Sequence, residues 1–196
     1  MLDTKSRKVV QPLFEKGANF FINLNFNANG VTLLAFVVGL LPSIIIYFEL
    51  PKVLAVLFLW LSGFLDAVDG TLARKTKTSS PFGTVMDIVF DRLVEISLII
   101  SLSIKYSKNP NFFLVLACSI ILSMTIFLTV GAVSEKKGEK TFYYQAGLME
   151  RTEGFIMFTI MIVFIKYVDI LALIFALLIF YTAIQRFKEA YCNLAK

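Results

Sequence analysis

The 196-residue chain is long enough for one domain, and its 58% apolar content and mean hydropathy of +0.78 exclude an ordinary soluble fold. The formal net charge is +5, histidine is absent, and the only cysteines are Cys118 and Cys192. That composition excludes a disulfide scaffold, a thiolate zinc site and a histidine general base, so any chemistry must run on carboxylates. Apolar runs of roughly twenty residues recur along the chain without the alternation of a membrane β-barrel, which predicts an all-α integral membrane protein. No cleavable signal peptide is expected, because no apolar core with a small-residue cleavage site occurs in the first thirty residues.

Residues 5–24 mix Lys and Arg with Val, Leu and Phe, the pattern of an amphipathic helix lying in the membrane interface, with a bend near Pro12. A basic tail without fixed structure is the alternative. The expected organisation is an interfacial segment over residues 1–30 and a six-helix membrane domain over residues 31–190. The six transmembrane spans are expected at about 31–48, 53–73, 82–104, 112–133, 155–167 (starting as early as Gly147) and 168–187. Leu50-Pro51-Lys52 marks a turn, and Ser80-Pro81 has the form of an N-cap followed by proline at the first helical position.

With six spans both termini share a side with the 74–81 and 134–152 connections. That side collects fourteen of the nineteen Lys and Arg residues, and the other side only Lys52, Lys105, Lys108 and Lys166. By the positive-inside rule the termini and both connections face the cytoplasm, and the protein sits in the cell membrane as a multi-pass chain.

The stretch of greatest interest is DAVDGTLARKTKTSSPFGTVMDIVFD, residues 66–91. Asp66, Asp69, Gly70, Ala73 and Arg74 share one face of a helix, and Gly83, Asp87 and Asp91 share one face of the next. An aspartate at the bilayer centre costs about 2.5–3.5 kcal/mol on insertion scales, and four together repel one another. Protonation or bound cations can relieve this. Hard divalent cations take oxygen ligands, and carboxylates without His or Cys suit Mg²⁺, with Mn²⁺ as an alternative. Two such ions match four carboxylates in charge. Arg74 is then left to grip an anion, with phosphate as the natural candidate.

The stretch reads D-x-x-D-G-x-x-A-R-x8-G-x-x-x-D-x-x-x-D, and in this it resembles the CDP-alcohol phosphotransferase family. The resemblance implies transfer of a phosphatidyl-type group from a CDP-lipid to an alcohol with release of CMP. It implies that Asp66, Asp69 and Asp87 ligate one metal ion and Asp66, Asp87 and Asp91 a second, with Asp91 as general base. It assigns Gly70, Arg74, Ser80 and Gly83 to the CDP group. Asn29, Gly30, Val31 and Thr32 resemble the segment that lines the nucleotide site, with Ala28 where the family usually has proline. It also implies a homodimer.

The acceptor is addressed by AGLMERTEG, residues 146–154, which resembles the GL-x-ER-x-E run of members that use inositol phosphate. There the resemblance implies a basic pocket for the acceptor's phosphate, made here by Arg151, Arg186 and a lysine of the 136–140 loop, Lys137. Glu153-Gly154 stands where those members commonly have a second Glu-Arg. A salt bridge from Arg151 to Glu150 or Glu153 is the alternative role for that arginine. Glycerol 3-phosphate is the second candidate acceptor, and either CDP-diacylglycerol or CDP-archaeol fits as donor. A cation transporter would account for the aspartates but not for the Gly-x-x-Ala-Arg pattern. No nucleic-acid partner is expected. Arg92 and Glu95 are expected to pair with each other or across a dimer, Gly39 and Pro42 to serve packing or a kink, and Trp60 to face lipid or core.

Overall fold

Helix boundaries follow local chemistry. In the computed structural model, which describes residues 2–133 and 147–194, Asn27 adopts extended backbone and its side chain accepts a hydrogen bond from the Gly30 N–H at 2.7 Å. That bond satisfies one of the donors left over at a helix start. The helix it opens, α2, spans Ala28–Tyr47. It follows α1, Leu2–Asn23, which is continuous through Pro12 rather than breaking there. α2 ends at Tyr47, Glu49 just beyond it has a left-handed φ of 57°, and Pro51 precedes the next start. α3 spans Lys52–Thr76 and closes on Lys77 at φ 55°, where the Thr78 N–H returns to the Ala73 carbonyl at 3.0 Å. Arg74 and Lys75 occupy its last turn, where cations complement the helix dipole.

α4 spans Pro81–Tyr106, and Ser80 Oγ accepts from the Gly83 N–H at 3.0 Å, as the Ser-Pro pair predicts. α5 spans Asn111–Val133, α6 spans Arg151–Val163, a 3₁₀ turn covers Ile165–Tyr167, and α7 spans Val168–Leu194. Among the described residues four helices are long and apolar enough to cross a membrane: α2, α3, α5, and the 3₁₀ turn with α7. The six expected spans differ from this at two places, for physical reasons. α4 carries Asp87, Asp91, Arg92 and Glu95 within its apolar length. α6 has 13 residues, about 20 Å of helix against a hydrocarbon core of about 30 Å.

The chain forms two compact units, Lys5–Tyr106 and a second that contains α5, α6 and α7. In the first, Ala18 of α1 is fully buried among Ala28, Val31, Val68 and Leu72, with Phe14, Phe21, Ile22 and Phe64 packed around them. Lys75 Nζ donates to Asn19 Oδ1 at 2.8 Å. α2 packs closely on both α3 and α4. The α2 contacts are close and partly polar, as expected where lipid offers no hydrophobic drive between helices. Ser62 Oγ donates to the Ala35 carbonyl at 2.8 Å, the Ser43 and Ser97 hydroxyls lie 2.6 Å apart, and Phe36 stacks on Phe90 with centroids 4.3 Å apart. Arg92 and Glu95 form an ion pair within α4, as expected.

In the second unit α7 packs on α5 and α6, burying Leu116, Phe158, Met161, Ala172, Phe175 and Ala176. At its N-terminal end Asp169 accepts hydrogen bonds from the Ser107 hydroxyl and from the Lys108 and Asn109 N–H groups, which pins the 107–109 turn.

Candidate active site

The last three turns of α3 and the first two of α4 meet across a four-residue connection, Lys77 to Ser80. One carboxylate oxygen each from Asp66, Asp69 and Asp87 lies within 4.8 Å of the other two. Asp69 is buried at 6% exposure, and Asp66 and Asp87 are half-buried. Three hard oxygen donors at this spacing fit a divalent cation. Opposite oxygens lie about 4.2 Å apart around Mg²⁺ and about 5 Å apart around the larger Ca²⁺. Asp91 lies one turn further along α4 and is half-buried, outside the set of three convergent carboxylates.

The residues assigned to CDP fall into two groups. Arg74 lies back along α3: its Nη2 donates to Thr71 Oγ1 at 3.1 Å, and a Cβ added at Gly70 would stand 3.4 Å from its Nη1. Thr71 in turn donates to the Ala67 carbonyl, so the guanidinium is held over Gly70 by a hydroxyl fixed to the helix. The second group joins the starts of α2 and α4. A Cβ at Gly83 would lie 3.2 Å from Ser80 Oγ and 3.3 Å from Asn29 Oδ1, so Asn29, Ser80 and Gly83 converge. Gly30 is held by the Asn27 cap. Val31 is buried in the core, and the buried Thr32 donates its hydroxyl to the Ala28 carbonyl at 3.0 Å.

In the second unit Arg186 is buried at 7% exposure. Its Nη1 donates to Ser123 Oγ at 3.1 Å, and the guanidinium lies over the Phe127 ring, 4.9 Å from the centroid. Arg151 is half-buried at the first position of α6, over Phe155 at 5.6 Å. The segment just before Arg151 is strapped to α7: the Leu148 N–H donates to Gln185 Oε1 at 3.2 Å and the Met149 N–H to Thr182 Oγ1 at 3.0 Å. Glu150 is buried and accepts from the Gly147 N–H. Gly147 is required here because a side chain would collide with the Thr182 methyl and close on Arg186 Nε. Ser123, Thr182 and Gln185 were not apparent from the sequence, although Thr182, Gln185 and Arg186 at i, i+3, i+4 form a polar face on an apolar helix. Lys137 lies outside the described residues.

Residues 25–185 match the family model described as CDP-alcohol phosphatidyltransferase. The chain belongs to that family. A multi-pass membrane protein with a candidate metal-binding aspartate cluster, it is a CDP-alcohol phosphatidyltransferase, a transferase of phospholipid biosynthesis. The assignment displaces the cation-transporter alternative. The chain is 32% identical to archaetidylinositol phosphate synthase of Pyrococcus horikoshii over 191 residues, 97% of this chain and 96% of that one. It is 37% identical to CDP-diacylglycerol–inositol 3-phosphatidyltransferase of Candida albicans over 93 residues, 45% of this chain and 40% of the other. Its fold resembles Mycobacterium tuberculosis phosphatidylinositol phosphate synthase crystallised with CDP-DAG bound, with a TM-score of 0.74 at 15% identity over 92% of this chain and 94% of that one. The same synthase in complex with manganese and citrate gives the same score at 16% identity, over 91% of this chain and 88% of that one.

Proposed function

We propose that this transferase moves a phosphatidyl-type group from CDP-diacylglycerol or CDP-archaeol to inositol phosphate and releases CMP at the cytoplasmic face of the cell membrane. The observation that carries the choice of acceptor is Arg186. A guanidinium held at 7% exposure beside the 147–150 segment offers fixed donors for a phosphate that an unphosphorylated alcohol lacks. The likeness to archaetidylinositol phosphate synthase over nearly the whole chain supports the same choice. Two Mg²⁺ ions are proposed on Asp66, Asp69, Asp87 and Asp91, with Mn²⁺ able to replace them. Bound there, the ions supply Lewis-acid stabilisation of the charge that builds on the departing CMP phosphate.

Each residue then has a distinct task. Asn29, Gly30, Val31 and Thr32, of which Val31 acts through its backbone, line the nucleotide site with Gly70, Ser80 and Gly83. Arg74 holds the donor diphosphate. Asp91 accepts the proton of the acceptor hydroxyl as its oxygen attacks the lipid-side phosphorus and the bond to CMP breaks. Arg151, Arg186 and Lys137 neutralise the acceptor's phosphate.

The test is an acceptor screen with purified protein and both CDP-lipids, scored by CMP release. Arg151→Ala should lower kcat/KM for inositol phosphate about ten- to a hundred-fold, the equivalent of losing a charge-assisted contact, and leave CDP-lipid affinity nearly unchanged. Serine and free inositol should be poor substrates, because they bring no phosphate to the arginines. Equal turnover of serine or free inositol and inositol phosphate would falsify the phosphate-pocket reading. Preference for glycerol 3-phosphate would keep the pocket and change the product to phosphatidylglycerophosphate.

The proposal includes α4 and α6 as two further spans, α1 as an interfacial helix, and a homodimer formed through α4 and α5. The exposed Cys192 provides a direct measurement of orientation in a Cys118→Ser background. A membrane-impermeant maleimide should label it in inverted vesicles and not in intact cells, and crosslinking of the same vesicles should yield dimer. Labelling from outside overturns the orientation, and monomer alone overturns the dimer.

A further inference from the structure

A side chain has no room at Gly39 of α2. An added Cβ would lie 2.6 Å from Val94 Cγ2 on α4 and 2.7 Å from Ser62 Oγ on α3, far inside ordinary contact on both sides at once. These two neighbours belong to the helices that carry the carboxylates. Ser62 is one turn from Asp66, about 6 Å along α3, and Val94 is two turns from Asp87, about 10 Å along α4. Further contacts tie the same three helices: the Ser62 hydroxyl on the Ala35 carbonyl, the Ser43–Ser97 hydroxyl pair, and Phe36 stacked on Phe90, the residue before Asp91.

The backbones of α3 and α4 come close to one another at few positions, whereas both lie close against α2, so the α2 backbone contributes to their separation. Close-packed interiors transmit such a spacing, because displaced atoms find no void to move into. The bare backbone at position 39 lets the Val94 and Ser62 side chains abut α2 from both helices, and on those same helices one carboxylate oxygen each of Asp66 and Asp69 lies within 4.8 Å of one from Asp87.

We propose that Gly39 is a positioning residue for the metal-binding carboxylates: its bare backbone fixes the gap between α3 and α4 and thereby the size of divalent cation the three aspartates accept. The proposal rests on the metal reading of Asp66, Asp69 and Asp87 and adds an ion-size selector to it. Oxygens around Mg²⁺ must close to about 2.0–2.1 Å from the ion, whereas Ca²⁺ is satisfied at about 2.3–2.6 Å. A methyl group wedged between Val94 and Ser62 spreads the helices, which penalises the smaller ion more.

The experiment is a Mn²⁺ titration of the detergent-purified protein followed by EPR, with Mg²⁺ and Ca²⁺ as competitors. Gly39→Ala should weaken Mg²⁺ binding about ten- to a hundred-fold, the range typical of lost support around metal ligands, and weaken Ca²⁺ binding less. Replacing both atoms that the methyl meets, by Ser62→Ala and Val94→Ala alongside Gly39→Ala, should return the Mg²⁺-over-Ca²⁺ preference to that of the parent. A folded Gly39→Ala protein with unchanged preference overturns the proposal, and so does a shifted preference that the triple variant fails to restore. If Gly39→Ala alone does not fold, the triple variant decides, and a preference for Ca²⁺ there counts against the selector. Absence of Mn²⁺ binding by the parent sinks the metal reading itself, whereas an unchanged preference sinks the selector alone.

Discussion

Turnover of CDP-lipid should fall to background in excess EDTA and return on addition of Mg²⁺ or Mn²⁺. The expectation follows from the three carboxylate oxygens gathered within 4.8 Å, one of them from an aspartate only 6% exposed. Charges this close in a poorly hydrated setting repel strongly, and a divalent cation relieves the repulsion while leaving the carboxylates ionised. With no histidine in the chain, no neutral nitrogen ligand or imidazole base is available as a substitute. The measurement is CMP release with and without chelator, together with the restoring ion series. Full activity in excess EDTA would remove the metal from the proposed mechanism.

Asp91→Asn should lower kcat by about 10²–10⁴-fold, the range expected for loss of a general base. The substitution keeps shape but deletes the site that accepts the proton of the acceptor hydroxyl, together with one contact to the second proposed metal ion. Because Asp91 lies outside the convergent set of three, CDP-lipid binding and Mn²⁺ binding should survive better in this variant than in Asp66→Asn or Asp69→Asn. A near-normal kcat in Asp91→Asn would mean that another group takes the proton.

The carboxylate pair of helices was legible because charge in lipid is expensive. Each Asp in the 66–91 stretch needed a reason, and their helical spacing put three of them together. The start of α4 was equally plain, since Ser80-Pro81 carries a cap and a helix-compatible φ in adjacent residues. The length of α6 was not. Residues 160–165 are continuously apolar, yet the chain leaves α geometry at Phe164, with φ −98° and ψ 49°, and composition alone does not register that departure. Nor did Thr182 and Gln185 stand out, because their bonds to the 148–149 backbone span 33 and 37 positions of chain and exist only once α7 is packed. Gly39 illustrates an intermediate case. A packing or kink role was readable, but the identity of the two walls, Ser62 and Val94, depends on α2 lying between helices that follow it in sequence.

The turn from Lys77 to Ser80 has a consequence for assembly. Asp66 and Asp87 are only 21 positions apart, joined by a reversal that Lys77 makes in left-handed geometry. Closing so short a loop costs little chain entropy, and even doubling it adds only about 0.6 kcal/mol. The carboxylates therefore remain mutually concentrated in a nascent α3–α4 hairpin, before the rest of the bundle has docked. What that hairpin lacks is α2, which packs on both of its helices in the finished protein.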